Sequence, residues 1–137
     1  MIPQDQEFPH KPEEGIYGDC FRSVIASLLE IPIKEVPHFL YDNCDNITFN
    51  KRLADFLKPL GLAYFCVPAF DIKDWRVKQG IEEPIYHEIS DESPRFSDSL
   101  HSVVGCDGEI YFDGHPTKLG LPKVTPDRTF GFFIKIC

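Results

Sequence analysis

The sequence predicts an α+β domain in which helices come first and an antiparallel sheet follows. Two observations carry this. Apolar residues recur twice at helical spacing before residue 61, and from residue 62 onward short runs rich in aromatic and β-branched residues are separated by Gly, Pro and Asp. The later runs are joined by turns too short for a crossover helix, so consecutive strands pair antiparallel. At 137 residues the chain fits one domain, 1–137, able to bury roughly two-thirds of its unfolded surface without a disulfide or metal.

Residues 1–18 carry Pro3, Pro9, Pro12, Gly15 and Gly18 among charged residues, which predicts an extended N-terminal arm with turns. From Asp19, read as an N-cap, Phe21, Val24, Ile25 and Leu28 recur at i, i+3, i+4 and i+7, and Pro32 is expected to end this helix. A second helix is expected from Thr48 as cap, with Phe49, Leu53, Phe56, Leu57 and Leu60 on one stripe and Gly61 just past its end. Residues 62–67 read as a strand, and 71–78 as a short helix around Trp75. Four further strands are predicted over 85–89, 101–105, 109–112 and 129–136, with Pro122 and Pro126 keeping the last connection irregular.

Twelve Phe and five Tyr supply much of the burial. The net charge of -8 is spread along the chain, and no Lys/Arg cluster is placed to neutralise several phosphates, which argues against nucleic acid as a partner. Five cysteines at 20, 44, 66, 106 and 137, with no Cys-x-x-Cys pair, suit a reducing compartment better than a disulfide scaffold. Neither a signal sequence nor a membrane span is evident, which predicts a soluble, cytoplasmic protein. No Cys or His pair shows the ligand spacing of a zinc site, so neither a metal nor a cofactor is expected.

One constellation points to chemistry. A thiol at the first turn of a helix faces the positive end of the helix dipole and unpaired backbone N–H groups, and Cys20 holds that position. Asp19 opposes a second negative charge there, so a histidine is needed to activate the sulfur. His101 opens a strand whose partner leads to Asp113. With only Asp107 and Gly108 in the loop, Cys106 pairs with Glu109, and His101 and Asp113 fall on opposite faces. With Cys106, Asp107 and Gly108 forming a three-residue loop, Gly105 pairs with Glu109 and His101 lies directly opposite Asp113. The second register is the one predicted. Asp113 then orients the imidazole, which takes the proton from Cys20. The Cys20 N–H supplies one oxyanion donor, and Gln6 or Gln4 in the arm offers a side-chain amide as another.

The strings Ile2-Pro-Gln-Asp-Gln6, Gly18-Asp-Cys-Phe-Arg-Ser-Val-Ile-Ala-Ser-Leu-Leu29 and Val36-Pro-His-Phe39, followed in order by Ser93-Pro-Arg95, His101-Ser-Val-Val-Gly105 and Asp113-Gly-His-Pro116, resemble small papain-like cysteine hydrolases of phages and bacteria. The resemblance implies a papain-like fold, with a helix carrying the Cys packed against a sheet carrying His and Asp. It also implies a nucleophile at Cys20, a base at His101, an orienting acid at Asp113 and an oxyanion-hole amide at Gln6. The family commonly has Asn before the Cys and Asp-Pro-His-Pro after the strand. Asp19 and Gly114 stand there in this chain, and Gly114 is expected to loosen the turn behind Asp113.

The function this implies is thiol-based acyl transfer (peptidase, amidase or deamidase) on a protein or peptide substrate, including one from a host, in the cytoplasm of a bacterium or phage-infected cell. The alternative is a catalytically silent module of the same fold that binds a protein in its cleft. Arg95, His38 and His115 are candidate substrate contacts, and histidines outside a defined pair are otherwise structural hydrogen-bonders. Cys66 is expected in the core, Cys44 in a polar loop, Cys106 in the hairpin loop and Cys137 at a disordered end. The acidic run Glu82, Glu83 and Glu88–Glu92 reads as a solvated face.

Overall fold

A computed structural model describes residues 1–136; Cys137, expected at a disordered end, lies outside them. Three helices, α1 (Cys20–Leu29), α2 (Asn46–Leu57) and α3 (Ile72–Lys78), combine with five strands, β1 (Leu62–Pro68), β2 (Tyr86–Glu92), β3 (Leu100–Cys106), β4 (Glu109–Phe112) and β5 (Thr129–Lys135). The architecture is α+β, with every ladder antiparallel and strand order β1-β5-β2-β3-β4. The last strand therefore slots between β1 and β2. Among the described residues, no helix is long and apolar enough to cross a membrane.

The sheet separates two apolar clusters. Phe21 and Ile25 of α1 and Leu53 and Leu57 of α2 pack with Val36, Phe39, Tyr64 and Phe133 on one side. Ile72 of α3 packs with Ile89, Val103, Leu121 and Phe130 on the other. Helix α1 runs against β3 and β2 and is buried nearly all round from Phe21 to Ser27, more than the single face its spacing predicts.

Helix ends differ from expectation in informative ways. Asp45, not Thr48, caps α2, its carboxylate accepting the Thr48 N–H at 2.8 Å, so the helix begins almost a turn earlier. A 3-10 turn over Lys58–Leu60 follows α2 and turns Leu60 out to solvent, with Gly61 closing it at φ 71°. Helix α1 stops at Leu29 because Glu30 turns left-handed at φ 56°, ahead of Pro32.

Two burial expectations fail. Cys66 is exposed, because β1 is an edge strand whose helix cover is concentrated at Leu62 and Tyr64. Glu82, Glu83 and Glu92 are exposed as expected, but Glu88 and Asp91 are buried at 3% and 0% exposure and belong to no solvated face. β2 is a central strand, and its buried carboxylates are satisfied by groups from other elements. Glu88 accepts from Tyr64 and from Ser102 Oγ at 2.8 Å, while Asp91 takes the Arg128 Nε at 2.8 Å and the Thr125 N–H at 3.0 Å.

Candidate active site

The arm and α1 fix the nucleophile candidate. Asp19 sits at the N-cap position, but its side chain makes no capping bond. Its buried carboxylate turns back to the arm instead, accepting from the backbone N–H groups of Glu7 and Phe8 and from Arg22 Nη1 at 3.1 Å. Arg22 also donates to Val36 O and Glu7 Oε1. The negative charge beside Cys20 is thus compensated, and the carboxylate ties the arm across the start of α1. The Cys20 N–H donates to no group among the described residues, and the thiol is half-buried.

The hairpin brings up the imidazole by a route other than the one predicted. The loop contains only Asp107 and Gly108, both at positive φ (51° and 87°), a pair suited to a type I′ turn, and Cys106 pairs with Glu109. The three-residue loop is therefore wrong, and Cys106 belongs to β3 rather than to the loop. The register then shifts between Val104 and Gly105: Gly105 pairs with Ile110 and Val104 with Phe112, leaving Tyr111 as the extra residue of a bulge. Because side chains alternate, one inserted residue reverses the facing of everything beyond it, and Asp113 returns to the His101 side. His101 Nε2 donates to Asp113 Oδ1 at 2.8 Å, with both side chains about 95% buried.

The carboxylate is held from behind. Asp113 Oδ1 also accepts the His115 N–H at 2.9 Å, and Oδ2 the Gly120 N–H at 2.8 Å. Burial pushes the Asp113 carboxyl up, but the His101 bond and these two backbone donors outweigh it and bring its pKa down to about 2. Burial pushes His101 down, yet hydrogen bonds to Asp113 and to Cys20, with the charges of both, raise it to about 9. With Nε2 on Asp113, it is Nδ1 that is left for the sulfur. Gly114 does not loosen this turn. A Cβ there would lie 2.1 Å from Ser23 Oγ and 3.2 Å from Gln6 N, so glycine lets the turn press against α1 and the arm, where Gly114 O accepts the Gln6 N–H at 3.0 Å.

Cys20 and His101 line a cleft of about 370 Å³, together with Gln6, Arg95 and His115. His10, Tyr17, Asn43, Cys44, Ser93 and Phe96 complete much of its wall and were not singled out as site residues from the sequence. The arm's Gly and Pro residues are the only hint for His10 and Tyr17, which a Lys11–Ile16 bridge folds back over the site. Gln6 Nε2 donates to Phe8 O at 2.7 Å, which commits one of its N–H groups, and its buried Oε1 has no hydrogen-bond partner among the described residues. Gln4 lies outside the site: its amide bonds Ala26 O, Ile31 O and the Ile33 N–H, closing the end of α1.

His38 is likewise outside the cleft. Its Nε2 meets Tyr17 O at 2.7 Å and its ring stacks on Phe8, so it braces the arm and does not reach substrate there. No protein-family model, curated protein or solved structure matches the chain, and the chemistry of this site is argued from its own geometry.

Proposed function

We propose that this chain is a papain-like cysteine hydrolase that cleaves an amide or ester carbonyl through a thioester on Cys20. The observation that carries the reading is the buried His101–Asp113 pair in the wall of the same cleft that Cys20 lines. In this scheme Cys20 Sγ attacks the carbonyl carbon, and the C–S bond forms as the carbonyl π electrons move onto oxygen. His101 takes up the thiol proton and passes it to the leaving nitrogen or oxygen as that bond breaks. Water, deprotonated by the same imidazole, then cleaves the thioester. Asp113, its charge maintained by His101 and two backbone N–H groups, holds the ring in one tautomer and stabilises its charged form. The free Cys20 N–H faces the developing oxyanion, and Gln6 retains a second N–H for the same task.

An open cleft with polar and aromatic walls suits a protein or peptide segment, and peptidase, amidase and deamidase activities all use this arrangement. The test is acyl trapping. The protein is mixed with p-nitrophenyl acetate, quenched in acid and weighed intact. An acetyl adduct is expected on the wild type and on Cys44→Ala, and none on Cys20→Ala; an adduct that survives Cys20→Ala overturns the proposal.

A further inference from the structure

Resting on that reading, we infer that His115 is a third oxyanion donor, a neutral imidazole presenting its Nε2–H to the carbonyl oxygen under attack. Three observations place it. Its backbone N–H is bonded to Asp113 Oδ1 at 2.9 Å, so the residue is tied to the carboxylate that orients His101. Its ring sits edge-on to His101 with centroids 6.1 Å apart, and it lines the cleft that holds Cys20. Its tautomer follows from its partners: Nδ1 accepts the Thr117 backbone N–H at 3.1 Å, so the ring proton belongs on Nε2.

Arg95 completes the device. Its Nη1 donates to Thr117 Oγ1 at 3.2 Å, which leaves the Thr117 hydroxyl proton for His115 Nδ1, 2.9 Å from that oxygen. Donation into Nδ1 polarises the ring and strengthens Nε2–H as a donor. Burial, followed by the positive charges of Arg95 and His101, lowers the His115 pKa and keeps the ring neutral. Nε2 has no partner among the described residues and is not among their buried unpaired atoms, so it remains available to a ligand. Gln6, with one N–H already on Phe8 O, has only its second N–H to add beside it. His115 moves no proton in the reaction; it stabilises charge on oxygen while the C–S bond forms.

The test separates steps that need an oxyanion from one that does not. Acylation by p-nitrophenyl acetate passes through a tetrahedral oxyanion, whereas alkylation by iodoacetamide displaces iodide at a saturated carbon. His115→Phe keeps an aromatic ring against His101 but donates nothing, and His115→Gln restores an N–H near the Nε2 position. Release of p-nitrophenolate is expected to slow about 10- to 100-fold in His115→Phe, with substantial recovery in His115→Gln and Cys20 alkylation unchanged in both. Undiminished acylation in His115→Phe overturns the inference, as does parallel loss of acylation and alkylation in both variants, since the ring then serves the fold or the thiol. A wild type that alkylates at Cys20 but never acylates defeats the hydrolase reading itself. Independently, ¹⁵N-detected NMR of the imidazole is expected to show His115 Nδ1 unprotonated, and a protonated Nδ1 in a neutral ring contradicts the assignment.

Discussion

His87 and His101 stand on neighbouring strands, on the same face of the sheet, at 1% and 4% exposure, and their ionisation moves in opposite directions. His87 Nδ1 donates to Glu88 O at 2.9 Å, its Nε2 accepts the Gly108 N–H at 3.0 Å, and its ring lies against Phe130 with centroids 4.5 Å apart. Burial lowers its pKa, and the ring is a neutral bracket for the hairpin turn. His101 has comparable burial but a carboxylate on one nitrogen and Cys20 in the same cleft, and its pKa rises to about 9. Burial alone discourages charge; a partner of opposite charge inside the same enclosure reverses the sign.

The largest separation is expected in reactivity. His101→Phe removes the proton carrier and should slow acylation of Cys20 by about 10³-fold or more, whereas His87→Phe should leave that rate unchanged. Nitrophenolate release measured for both variants decides this, and equal effects would erase the distinction.

Next comes pH. The His101 pKa is raised above its unfolded value of 6.5, so its stabilisation is complete below about pH 6.5 and disappears as pH climbs through 9. Across that window urea unfolding should show a loss on the order of 3 kcal/mol. The lowered pKa of His87 has the reverse sign, with stability falling as pH drops below 6.5. In an NMR titration His101 should change charge near 9 and His87 below 6.5; one shared midpoint would contradict the comparison.

Smaller effects are structural. Gly114→Ala forces a Cβ into Ser23 Oγ, which is itself bonded to Gln4 O, and should cost about 2 kcal/mol in thermal or urea unfolding. His87→Phe leaves the Gly108 N–H without its acceptor and should cost about 1 kcal/mol. A stabilised variant in either case would refute the packing described.

The contrast between the two histidines also marks what the sequence could reveal. The helical spacing in α1, the Asp-Gly turn and the strand runs are local patterns, and each element appears close to its expected position. The pairing of His101 with Asp113 was anticipated for the wrong reason. A three-residue loop was expected where a two-residue turn and a bulge at Tyr111 produce the same facing, and bulges leave no signature in residue alternation over so short a strand. Insertion of β5 between β1 and β2 depends on contacts remote in sequence. The same holds for the burial of Glu88 and Asp91, whose partners Tyr64 and Arg128 come from other parts of the chain. His87, with no motif around it, looks no different in sequence from a surface histidine.

Competition among thiols for limiting iodoacetamide at neutral pH tests the central claim most directly. Among the described residues Cys66 is exposed while Cys20, Cys44 and Cys106 are half-buried, so among these four accessibility alone favours Cys66. Activation by the His101–Asp113 pair predicts that peptide mapping finds the adduct chiefly on Cys20, and that Asp113→Asn shifts it toward Cys66. Labelling dominated by Cys66 in the wild type would contradict the account.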